Sequence, residues 1–125
     1  MSNAKWRSFF HVVAGHSNVI FKATWKLTTT SRTEEGRLPL ETDIWESAVD
    51  NSLNGPVDYV SIEWLEIPHD VSYRRYPDAP LTPLFQPVDV LEAALRAVGE
   101  FPLERTERGL RIYGYWQPNQ RLERP

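Results

Sequence analysis

The most specific chemistry in this chain is written near its end. There Arg111-Ile112-Tyr113-Gly114-Tyr115-Trp116 sets two rings two residues apart, beside a cation. Residues two apart share a strand face, so Tyr113 and Tyr115 become neighbouring rings with Arg111 next to them. The pattern echoes the basic-aromatic-glycine-aromatic core of an RNA-recognition strand, whose same-face rings stack on bases. The echo is incomplete: Ile112 stands where a glycine is expected, Pro118 where a further ring would follow, and the run occupies the last strand. Glu63 on a neighbouring strand and the acidic middle of the chain also repel phosphate. A single-stranded nucleic-acid binder using Tyr113 and Tyr115 is thus an alternative, and a disfavoured one.

Glu66, His69 and Asp70 gather at a strand end and carry the groups that acid-base chemistry uses. Adjacency in sequence fixes no geometry, so a small enzyme near His69 is a second alternative, ranked lower. His11, His16 and His69 match no zinc-ligand spacing, and Glu63 and Glu66 point to opposite faces of one strand. The chain has no cysteine, no nucleotide-binding glycine loop and no nucleophile elbow. No cofactor and no metal is called for.

The net charge of −3 is modest, yet its layout is uneven. Residues 1–33 hold five basic and no acidic side chains, whereas residues 34–70 hold ten acids against Arg37 alone. Such asymmetry marks a partner-facing region, with Glu41, Asp43 and Glu46 at its centre. The competing explanation is that the basic first strand lies beside the acidic central one and the charges partly cancel.

These residues need elements to position them. The chain of 125 residues is long enough for one domain with its own core. Its centre is Val57 to Ile67, VDYVSIEWLEI, in which Val60, Ile62 and Trp64 alternate with Tyr59, Ser61, Glu63 and Leu65. Trp6, Phe9, Phe10 and Val13 predict an amphipathic helix over 4–14, capped by Ser2 or Asn3 and stopped by Gly15. Val19 to Thr30 alternates as a strand, and 31–36 reads as a polar loop. Residues 43–53 are expected to be a helix with Trp45, Ala48, Val49 and Leu53 near helical spacing, the competing reading being an irregular crossover in which Ile44 and Trp45 pack alone, and 68–86 an irregular proline-rich crossover with Pro77, Pro80 and Pro83 on one polyproline edge. Pro87 opens a helix over 88–98 with Leu91, Ala94, Leu95 and Val98 buried. A short edge strand at 101–105 and a last strand at 110–116 follow, before a polar tail at 119–125.

Together these predict a two-layer α+β domain over 1–118, an antiparallel sheet of about four strands with two or three helices mainly on one face. Phe21, Trp25, Val60, Ile62, Trp64, Ile112 and Trp116 form the expected core face. Lys22, Lys26, Tyr59, Glu63, Arg111, Tyr113 and Tyr115 form the expected open face and candidate binding surface. Short apolar runs and the lack of a signal-type segment predict a cytoplasmic protein without membrane contact.

Lys5-Trp6, SIEWLEI at 61–67, VLEAAL at 90–95 and ERGLRIYGYW at 107–116 together resemble a family of small bacterial proteins known only as a domain of unknown function. The resemblance implies a compact α+β domain of bacterial origin and carries over no catalytic residue. Tyrosines and an arginine on a sheet face beside an acidic region have the composition of interface anchors. The preferred expectation is a non-enzymatic protein-interaction module, of immunity or antidote type, bound to a protein partner or to a second copy of itself.

Overall fold

The computed structural model describes residues 1–51 and 55–115. Five strands form one antiparallel sheet in the order β2-β1-β5-β9-β8: β1 (Lys22–Leu27), β2 (Thr33–Arg37), β5 (Ile62–Pro68), β8 (Leu103–Arg105) and β9 (Gly109–Tyr113). Two hairpins stand apart from it, β3 (Ala48–Asp50) with β4 (Pro56–Asp58), and β6 (Asp70–Tyr73) with β7 (Thr82–Phe85). Helices α1 (Asn3–Ala14) and α2 (Val88–Val98) join the sheet in one core. The α+β class and the antiparallel sheet are as expected.

The expected polar loop at 31–36 is instead largely an edge strand. Thr33, Glu34 and Glu35 are exposed along it, a charged edge that resists pairing with other chains. The helix expected at 43–53 is absent across 44–51: a 3-10 turn at Glu41–Asp43 leads into β3, and 52–53 lie outside the described residues. The proline-rich stretch folds as the β6–β7 hairpin rather than as a polyproline crossover. Its register sets Pro83 opposite Ser72. Trp116 and the tail at 119–125 also lie outside the described residues.

Ser2 caps α1, its Oγ accepting the Lys5 N–H at 3.1 Å. Trp6, Phe9, Phe10 and Val13 are buried as the spacing predicts. Phe10 stacks at 5.9 Å on Trp25 of β1 and at 6.0 Å on Tyr59. The centre of the core is therefore a file of rings, each burying roughly 150–250 Å².

Tyr59 overturns the alternation expected for the central stretch. Residues Tyr59–Ser61 form a 3-10 turn, so β5 begins only at Ile62. Tyr59 is buried in the core and Val60 faces solvent. The tyrosine ring removes more apolar area from water than valine would, and its hydroxyl donates to the Trp45 carbonyl at 2.8 Å, offsetting the cost of burying a polar end. Lys26 then pairs with Trp64 while Leu27 pairs with Ile62, leaving Glu63 as the extra residue of a β-bulge. The bulge lets Ile62, Leu65 and Ile67 all be buried and moves Trp64 to the other face. Gly109 and Gly114 let β9 approach β5, since a Cβ at either would lie 2.0 Å from a β5 carbonyl oxygen.

Gln86 anchors the β6–β7 arm. Its buried side chain accepts from the N–H groups of Phe21 (2.8 Å) and Lys22 (3.0 Å) and donates to the carbonyls of Lys22 (3.0 Å) and Pro68 (2.8 Å). Gln86→Ala leaves these groups unmatched, with a loss of about 1 kcal/mol or more per bond. Urea denaturation should show the variant destabilised by roughly 3 kcal/mol, and an unchanged midpoint would refute this role.

Candidate functional site

The expected open face exists, but most of its polar groups are engaged with one another. Register places Glu35, Thr24, Glu66, Arg111 and Glu104 in one cross-strand row, and Thr33, Lys26, Trp64 and Tyr113 in the next. Lys26 Nζ donates to Glu63 (3.0 Å) and to the carbonyls of Leu27 (2.8 Å) and Thr30 (2.6 Å), tying down the β1–β2 turn. Arg111 stacks its guanidinium 3.8 Å over the Trp64 ring and reaches the Glu66 carboxylate at 3.2 Å. Glu66 is only 3% exposed and also accepts from Thr106 Oγ1 at 3.0 Å. A buried carboxylate persists when its charge is paired: Arg111 and Thr106 both engage Glu66 Oε2, and the Arg108 guanidinium approaches Oε1 at 3.8 Å.

The tyrosine pair does not form a stacking platform. Tyr113 is buried with its hydroxyl on Glu104, and Tyr115 lies beyond the end of β9 with its hydroxyl donating to the Val60 carbonyl at 2.6 Å. Tyr59 belongs to the core and is removed from the candidate surface. Lys22 sits at the sheet margin, bonded to the Ser72 carbonyl at 3.1 Å and paired with Glu35 at 3.3 Å.

The acidic segment divides. Asp43 works inside the fold, pairing with Arg37 at 3.3 Å and accepting the Leu40 N–H at 2.9 Å. Glu41 is exposed and meets His11 at 2.6 Å, while Glu46 is exposed with no ion-pair partner among the described residues. The cancellation weighed from sequence, basic first strand against acidic central strand, holds for Lys26 with Glu63; Glu35 of the edge strand β2 is met by Lys22, Asp43 by Arg37 of its own segment, and Glu46 is left over among the described residues. Beside Glu46 the chain exposes Trp45 (46%) and Val60 (60%). Tyr59 brings these segments together, donating its hydroxyl to Trp45 and its N–H to the Ser47 carbonyl at 3.0 Å. The Tyr115 hydroxyl adds a third segment at Val60.

A groove of about 630 Å³ lies between the sheet and the β6–β7 arm. Lys22, Thr24 and Glu35 line it from the sheet, Val71, Leu84 and Phe85 from the arm, and Arg108 from the β8–β9 turn. His69 stands at the corner between β5 and β6, its ring edge-on to Phe85 at 6.1 Å and its buried Nε2 without a hydrogen-bond partner among the described residues. Glu66, proposed with it as an acid-base set, is instead engaged by Thr106 and Arg111, and Asp70 is exposed. Among the described residues no three His, Asp or Glu side chains gather into a metal-sized group.

Sequence reasoning missed Trp45, Val60 and Arg108 as surface residues. The strand period puts Val60 in the core, and nothing in the spacing discloses the 3-10 turn at Tyr59–Ser61 that turns it outward or the irregular backbone that exposes Trp45 after Glu41–Asp43. Comparison with protein-family models, with curated proteins and with solved structures finds no match for this chain.

Burial pushes the Tyr59 and Tyr113 phenols above the ordinary 10.0, and the Glu104 hydrogen bond adds to the effect at Tyr113. Ionisation is then easier in the unfolded chain, which binds fewer protons, so stability falls as pH rises past about 10. Replacing both residues by Phe should flatten this alkaline decline in the unfolding free energy measured against pH. An equally steep decline in the double variant would show that other groups cause it.

Proposed function

With no relative to carry a function over, we propose that the chain is a non-enzymatic protein-interaction module that binds a basic protein through the surface around Trp45, Val60 and Glu46. The observation that supports this reading is the exposure of a tryptophan and a valine on segments held together by the buried Tyr59, beside carboxylates directed outward. Aromatic anchors at the centre and charged groups at the rim are the usual anatomy of such contacts. Glu41 and Glu46 supply long-range attraction to a basic partner and speed its encounter. An immunity or antidote protein, which covers a basic toxin surface without performing chemistry, fits this arrangement.

The nucleic-acid alternative loses its principal support, since Tyr113 is buried and only Tyr115 offers an exposed ring. The acid-base alternative loses the Glu66 carboxylate to the Arg111 and Thr106 contacts. A second copy of the chain remains an occupant that the same experiment separates from a foreign protein.

The immobilised chain, incubated with lysate of its native host with and without nuclease, should retain a protein of basic isoelectric point that leaves at high salt. Glu41→Lys with Glu46→Lys should lower retention at least tenfold, and Trp45→Ala should do the same. Retention indifferent to these changes, or abolished by nuclease, would defeat the reading. Self-association by sedimentation, lost in the same variants, would replace the foreign partner with a second copy.

A further inference from the structure

Helix α1 holds the segment 41–46, which carries Trp45 and Glu46 of the surface proposed above, through two side chains one turn apart. Arg7 Nη1 donates to the Glu46 carbonyl at 2.5 Å, and His11 Nδ1 meets Glu41 Oε2 at 2.6 Å. An ionised carboxylate only accepts, so Nδ1 is the donor and carries the ring proton. The neutral imidazole then leaves Nε2 bare, on a side chain that is 51% exposed. Uptake of a proton there turns the hydrogen bond into an ion pair.

The other groups around the ring are engaged or far from neutral titration. From the 3-10 turn at Glu41–Asp43, Asp43 is occupied by Arg37 and by the Leu40 N–H. From the turn at Tyr59–Ser61 comes Tyr59, whose phenol lies above the ordinary 10.0 and rests on the Trp45 carbonyl. Helix α2, also packed on α1, brings Asp89, Glu92 and Arg96, which pair with one another or with Arg105. Along α1 itself Lys5 donates to the Glu100 carbonyl, and His16 Nδ1 meets the Val12 carbonyl at 2.9 Å. On the docking face, therefore, Glu41 and Glu46 outnumber Arg7 while His11 is neutral, and two acids face two cations once it is charged.

We propose that His11 is a pH gate on this surface: its protonation cancels the attraction that Glu41 offers a basic partner, so docking weakens as pH falls from about 8 to about 5.5. Carboxylates, lysines and arginines keep their charge across that interval, and histidine is the side chain that changes it. The gate acts on the docking surface proposed above and rests on that reading.

A decalysine peptide at low salt, titrated into the full chain at each pH, tests the gate through the backbone amide resonances of residues 41, 45, 46 and 60. The dissociation constant read there should rise about threefold between pH 8 and pH 5.5. His11→Gln keeps a donor for Glu41 but takes up no proton, and should abolish the rise. His11→Lys should bind at pH 8 as weakly as the wild type does at pH 5.5. His16→Gln, which alters the neighbouring histidine, should keep the full rise. An unchanged constant in the wild type, or the same rise in His11→Gln, would overturn the gate and leave the surface standing. Shifts absent from these residues at pH 8 would defeat the surface and the gate with it.

Discussion

The structure depends on the side chain of Gln86, which joins the β6–β7 arm to the neighbouring ends of the paired strands β1 and β5. A primary amide has two donor hydrogens and a carbonyl oxygen able to accept twice, and at Gln86 all four are used on backbone groups of Phe21, Lys22 and Pro68. Its own backbone N–H donates to the His69 carbonyl at 2.6 Å, so the arm is closed at its base. The beginning of β1, the end of β5 and the end of the β6–β7 hairpin are thereby held at one point. The Phe21–Tyr73 edge contact at 6.2 Å and the Lys22–Ser72 bond carry the attachment outward along the arm. The groove exists because this attachment holds the arm beside the sheet while leaving Leu81 and Phe85 uncovered.

A second constraint is the competition between ring burial and strand alternation at residues 59–64. An aromatic ring that can also satisfy its hydroxyl is worth more inside than a valine, so Tyr59 enters the core and the backbone forms a 3-10 turn to let it. The bulge at Glu63 restores the buried phase for Leu65 and Ile67. Trp64 is left outside, where the Arg111 guanidinium covers its face, a contact worth about 0.5–2 kcal/mol. These adjustments turn Val60 outward and bring it near the chain around Trp45.

Charge is distributed by the same logic. On the sheet face, opposite charges meet within the molecule: Lys26 with Glu63, Lys22 with Glu35 and Arg111 with Glu66. The exposed Lys22–Glu35 pair stabilises modestly, whereas the Arg111–Glu66 pair compensates a carboxylate that is buried; all three occupy groups that would otherwise attract a ligand. Glu46 on the crossover is left outside this network among the described residues, beside the exposed Trp45 and Val60, while Arg108 at the β8–β9 turn joins it through a 3.8 Å approach to Glu66.

By itself the sequence determined much of the local structure. The 3.6-residue stripes of Trp6, Phe9, Phe10 and Val13 and of Leu91 and Leu95 specify both helices and most of their buried faces, because a stripe depends on residues within one or two turns; Val98, expected on the second stripe, is instead exposed at the end of α2. Alternation in 22–27 and 109–113 likewise marked β1 and β9. Only the tertiary structure decided which residues of 59–64 face inward, since a single extra residue reverses strand parity and the choice rests on partners far along the chain. The same is true of β2 and the β6–β7 arm, whose polar or proline-rich sequences carry no strand period and are ordered by pairing, with the arm fixed by Gln86. The candidate surfaces followed that division: Lys26, Glu63 and Arg111 could be placed together from strand period alone, whereas the exposure of Trp45, Val60 and Arg108 depended on turns that long-range contacts impose.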